Sequence, residues 1–191
     1  MKQNGNRLKR FKLSSLLMHK AVFLDRDGVL NEVRLIDGKP YPPKTLEDLI
    51  LTPKVHECVN ILKANGYLLF VVTNQPDVAR GDAAIAEVES INDFLLQQLP
   101  LDGIRVCYHD NQDGCACRKP LPGMLYDISK EFNIDLSNSY MIGDRWKDID
   151  AGCAAGCKTI WLDYQYQEKK AQGYTHKANS LYEACLIIKG D

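Results

Sequence analysis

Short apolar runs alternate with longer stretches of helical period along most of this chain. "AVFLD" at residues 21–25 is a continuous apolar run ending in an acid, the pattern of a strand buried on both faces. "YLLFVVT" (67–73), "IRVCYH" (104–109), "SYMIGD" (139–144) and "KTIWLD" (158–163) read as further strands, the last two again ending in an acid. Between them, residues 52–66, 81–99, 122–133 and 146–156 carry apolar positions three and four apart, as do residues 178–190. That spacing predicts helices. Thr52-Pro53 is a start signal and Gly66 a stop, Asp82 is a candidate N-cap, and Gly156 closes the helix before the last strand. "VRLIDGKPY" interrupts the alternation: Asp37-Gly38 lies between two short extended pieces, and a small hairpin is expected there.

Strands alternating with helices predict an α/β fold: a Rossmann-like, doubly wound parallel sheet with helices on both faces. Residues 20–191 form this domain, and residues 1–19 read as a polar, basic N-terminal extension with a short "LSSLLM" patch. That patch is too short for a signal peptide, and no apolar run reaches the length of a membrane span, so a cytoplasmic protein without membrane contact is expected. Basic and acidic residues nearly balance, with a formal net charge of −1. This speaks against a nucleic-acid partner, which calls for excess positive charge. A monomer acting on a small molecule is expected.

Ligands of such sheets bind beyond the carboxyl ends of the strands, and acids gather there. The first strand ends in Asp25, with Asp27 two residues on. The second ends in Thr73-Asn74, the third leads to Arg118-Lys119, and the fourth ends in Asp144, with Asp148 a helical turn further. Singly these are ordinary turn and cap residues. Together they form a rim of carboxylates that calls for a cation. The chemistry that fits is phosphoryl transfer through a carboxylate nucleophile. An anion approaching phosphate at about 4 Å meets roughly 4 kcal/mol of repulsion per charge pair at an effective dielectric near 20. Magnesium and a lysine reverse that repulsion.

"FLDRDGVLNE", "VVTNQPDVARG", "RKPLPGM" and "MIGDRWKDIDAG" resemble the four motifs of the haloacid dehalogenase superfamily, in order, spacing and strand context. The resemblance implies Asp25 as nucleophile, Asp27 as general acid and base, and Thr73 and Lys119 as phosphate binders. Magnesium would be held by Asp25, the Asp27 backbone carbonyl and Asp144, with Asp148 in support. Arg26, Asn74, Arg80, Arg118 and Arg145 are candidate substrate contacts. For Arg80 a solvated surface charge is an equal alternative, and for Arg34 and Lys39 it is the preferred reading. Asp27 to Thr73 leaves room for the hairpin and one helix but for no large cap.

Seven cysteines is an odd number, unlike a secreted disulfide framework. Cys58, Cys153, Cys157 and Cys185 read as small buried hydrophobes. Cys107, His109, Cys115 and Cys117 form a Cys-x-His-x5-Cys-x-Cys array just before Arg118-Lys119. Four sulfur and nitrogen ligands fill the tetrahedron of a structural zinc, which would fix the backbone that presents those cations. The array resembles a zinc-containing subgroup of the superfamily that includes heptose bisphosphate and histidinol phosphatases. The substrate implied is a small phosphorylated metabolite. A heptose bisphosphate comes first, with histidinol phosphate or another sugar phosphate as the alternative.

Overall fold

The computed structural model describes residues 18–191, so most of the proposed extension, residues 1–17, lies outside the described residues. His19 pairs with Ile134 in an isolated bridge.

The alternation of the sequence becomes a six-stranded, all-parallel sheet in the order β5-β4-β1-β6-β7-β8. The strands are β1 (Ala21–Leu24), β4 (Leu68–Asn74), β5 (Gly103–Cys107), β6 (Tyr140–Gly143), β7 (Lys158–Leu162) and β8 (His176–Ala178). The helices are α1 (Val55–Ala64), α2 (Asp77–Arg80), α3 (Ile85–Gln98), α4 (Gly123–Phe132), α5 (Trp146–Ala155) and α6 (Leu181–Gly190). Successive side chains of a strand point to opposite faces, and the core divides accordingly. Val22, Leu24, Leu69 and Val71 pack with Val59 and Leu62 of α1 and with Leu181 and Ile188 of α6. Ala21, Phe23, Phe70 and Val72 pack with Met124, Leu125 and Ile128 of α4. Both faces are covered, which is why central β1 is apolar and buried at every position.

Three expectations are corrected. The helix expected from residue 81 begins at Ile85, with Ala84 and not Asp82 at its N-cap, because residues 77–80 wind into the separate short helix α2, which Gly81 ends at φ 79°. β8 was not expected; its three residues, two of them polar, are too short to show a period. Cys153 is exposed, unlike Cys58, Cys157 and Cys185, because it lies on the outer side of α5.

The hairpin forms as expected. β2 (Arg34–Ile36) pairs antiparallel with β3 (Lys39–Tyr41) through Asp37 and Gly38, both at positive φ, as a tight two-residue turn requires. Arg34 and Lys39 are exposed. What matters for the site is the sheet order: the chain leaves central β1 for β4 and β5 on one side, then returns to β6 on the other. The crevice of such a fold lies at that reversal, beyond the carboxyl ends of the strands.

Candidate active site

Asp25 follows β1 directly, its amide still bonded to the Ile142 carbonyl of β6 at 3.0 Å. Asp144 follows β6, so the two acids stand side by side at the switch point. Gly28 is at φ +86°, and a Cβ there would lie 1.9 Å from Asp144 Oδ2; the turn after β1 needs glycine for conformation and for clearance. Lys119 is 2 % exposed. Its Nζ reaches Asp25 Oδ1 at 2.8 Å and Asp148 Oδ1 at 2.5 Å and donates to the Val72 carbonyl at 2.7 Å. Burial opposes its charge, but Asp148 and Asp25 hold its pKa above the usual lysine value. Asn74 clamps the backbone of Lys119 in both directions, accepting from its amide at 3.1 Å and donating to its carbonyl at 3.0 Å.

Asp27 is held by three donors. Gln75 Nε2 lies 2.8 Å from its Oδ2, Asn31 Nδ2 3.0 Å from its Oδ1, and the Arg26 guanidinium 3.1 Å away. Gln75 also donates to the Thr73 hydroxyl at 2.9 Å. Asp25, Asp27, Thr73, Gln75, Lys119, Asp144 and Asp148 share a cavity of about 300 Å³ with Asn74, Arg80, Arg118, Arg145 and Lys147, roofed by Val33, Pro40, Tyr41 and Pro42 of the hairpin region.

The structure thus brings together every expected site residue of the strand ends except one. Arg26 is fully buried and does not line the cavity. Its neighbours Asp25 and Asp27 face the site, so it turns the other way, towards Asn92 of α3 at 3.1 Å, while its guanidinium also pairs with Asp27 at 3.1 Å. Arg80 reaches the cavity, but Asp110 takes its guanidinium in two bonds of 2.9 and 2.6 Å and Asp77 adds a third contact at 3.3 Å. Gln75, Asn31, Lys147 and Tyr166 were not anticipated. Gln75 directly follows the strand-end pair Thr73-Asn74 and could have been weighed with it. Tyr166 had no such signal.

The carboxylates fit a divalent cation. Ligand oxygens of Asp25, Asp144 and Asp148 lie within 4.8 Å of one another. Burial, followed by repulsion from Asp148, pushes the Asp25 pKa up to about 7. Burial, then Asp25 and Asp148, lifts that of Asp144 well above the usual range. Asp144 Oδ1 is buried with no hydrogen-bond partner. Buried polar atoms are nearly always paired, and one lysine does not balance three acids. A hard, oxygen-preferring ion is the partner that this donor set lacks.

Cys107, His109, Cys115 and Cys117 also converge, within 4.8 Å of one another. Sulfur separations run from 3.2 to 3.7 Å, and His109 Nδ1 lies 3.3 Å from Cys117 Sγ. Ligands about 2.3 Å from a tetrahedral zinc stand ~3.8 Å apart, so the array is nearly at zinc-binding geometry. Arg118 is fastened to this loop, donating to the His109 carbonyl at 3.1 Å and to Asn111 Oδ1 at 3.0 Å.

A parallel sheet with paired acids, a buried lysine and a hydroxyl at its switch point defines a phosphoryl-transfer class of hydrolase. The chain belongs to the haloacid dehalogenase-like hydrolases, whose family model matches residues 41–156. It is similar to the D-glycero-alpha-D-manno-heptose-1,7-bisphosphate 7-phosphatase of Campylobacter jejuni, 37 % identical over 89 % of this chain and 96 % of the relative. The D-glycero-beta-D-manno-heptose-1,7-bisphosphate 7-phosphatase of Pseudomonas aeruginosa is 36 % identical over 87 % of this chain and 90 % of its own. Among solved structures, the D,D-heptose 1,7-bisphosphate phosphatase of B. bronchiseptica, crystallised with magnesium and phosphate, superposes with a TM-score of 0.75. Its identity is 30 %, covering 88 % of this chain and 97 % of that one. Among the described residues, no helix is long and apolar enough to cross a membrane.

Proposed function

We propose that this protein is a magnesium-dependent phosphatase that removes the 7-phosphate of a D-glycero-D-manno-heptose 1,7-bisphosphate, acting as a monomer in the cytoplasm. The observation that carries the chemistry is the buried set of Asp25, Asp144 and Asp148 around Lys119. Asp25 attacks phosphorus and becomes the aspartyl phosphate. Asp27, held by Gln75, Asn31 and Arg26, protonates the leaving alcohol and then takes a proton from the water that releases phosphate. Lys119 and the Thr73 hydroxyl meet the oxygens of the transferring group. Magnesium held by Asp25, the Asp27 carbonyl and Asp144 would neutralise the carboxylates and the phosphoryl charge. Zinc held by Cys107, His109, Cys115 and Cys117 would fix the loop that carries Arg118.

The substrate reading is supported by the relatives and by the cavity wall. Lys147 has no carboxylate partner among the described ion pairs. Burial, then repulsion from Arg118 and Arg145, pushes its pKa down, so a second anionic group is welcome there. The ammonium of histidinol phosphate is not. A phosphate-release panel tests this: heptose bisphosphates should exceed histidinol phosphate and hexose bisphosphates in kcat/KM, with the 1-phosphate retained. Preference for histidinol phosphate would overturn the substrate, and undiminished release by Asp25→Asn would overturn the mechanism.

A further inference from the structure

Three consecutive residues between β7 and β8 each tie down a different part of the site. The Tyr166 hydroxyl donates to Asp144 Oδ2 at 2.9 Å. The Gln167 amide donates to the carbonyl of Gly38, at the hairpin tip, at 2.8 Å. Glu168 accepts from Arg145 Nε at 3.0 Å. Tyr166 is 6 % exposed, with its ring 5.9 Å from that of Tyr164, so packing holds the phenol in place. The Trp161 indole fixes the Asp144 backbone carbonyl at 3.0 Å. The two carboxylate oxygens of Asp144 are therefore unlike: Oδ2 is bonded to Tyr166, and Oδ1 is buried without a partner. A carboxylate with one fixed oxygen cannot turn freely about its terminal bond, and outer partners of this kind orient metal ligands.

We propose that Tyr166 is a positioning residue for the Asp144 carboxylate, reserving Oδ1 for the cation, and that Gln167 couples this brace to the hairpin over the substrate cavity. The proposal rests on Asp144 being a magnesium ligand. Tyr166→Phe keeps the ring and removes the donor. Binding of Mn2+ as a spectroscopic stand-in for magnesium should weaken about 10-fold or more in Tyr166→Phe, with an unchanged melting temperature in metal-free buffer. Raising the magnesium concentration should restore turnover. Gly38 is at φ +71°, and a Cβ there would lie 2.6 Å from Gln167 Cγ. Gly38→Val should therefore also weaken Mn2+ binding, and should add little on top of Tyr166→Phe, since coupled residues are not additive. Equal Mn2+ affinity in wild type and Tyr166→Phe, or turnover that magnesium does not restore, overturns the positioning role. Wild-type affinity in Gly38→Val overturns the link to the hairpin. A wild-type protein that binds no Mn2+ would instead remove the magnesium reading itself.

Discussion

Lys119 keeps its charge in a place where burial alone would remove it, because Asp25 and Asp148 stand beside it. Removing one partner of a buried ion pair leaves the other uncompensated, at about 3–5 kcal/mol. Lys119→Ala should therefore lower the metal-free melting temperature as well as abolish phosphate release; a chemical-denaturation series in EDTA and in magnesium separates the two losses. Asp144→Asn should act in the opposite sense on stability. It relieves a crowded carboxylate, so the metal-free protein should melt at or above the wild-type temperature while activity is lost. Asp25, Thr73 and Asp144 were legible because each ends an apolar run, where a polar residue has few structural reasons to sit, and Asp27 and Asp148 by their spacing from them. Arg26 was misread because its neighbours in sequence face the cavity and it does not. Tyr166 was illegible: its partner Asp144 follows β6, 22 residues earlier in the chain, and nothing in "DYQYQEKK" marks one tyrosine from the other.

The loop from Cys107 to Cys117 has few apolar side chains, so the proposed zinc would add to the hydrogen bonds of Arg118, Arg80 and Asp113 that shape it. Cys115→Ser should lose zinc by elemental analysis and melt at a lower temperature. It should also turn over several-fold more slowly, because Arg118 is fastened to the His109 carbonyl; wild-type zinc content and melting would remove this role. The five apolar runs were read correctly as strands; in β1, β4 and β6 burial on both faces makes the run continuous. β8 and the break between α2 and α3 were not. A three-residue edge strand is set by pairing with β7, and the break by Gly81 and by the Asp82 and Ala83 amides, which bond back to the Asp77 carbonyl.

Over the whole molecule, the sheet brings acids distant in sequence to one rim, and the cost of their proximity falls on the fold. An ion that binds only the folded state adds about 2.7 kcal/mol at a hundred times its dissociation constant. Magnesium should therefore raise the wild-type melting temperature and leave that of Asp144→Asn unmoved, as differential scanning calorimetry would read directly. The hairpin stands apart from this. β2 and β3 pair only with each other, and Leu35, Ile36 and Tyr41 are exposed. Provided that Gly38 and its bond to Gln167 are kept, such an appendage can be exchanged between lineages, or grafted by an engineer, with the reaction left as it is: a descendant could come to hydrolyse a different ester by rewriting the other residues of 33–42.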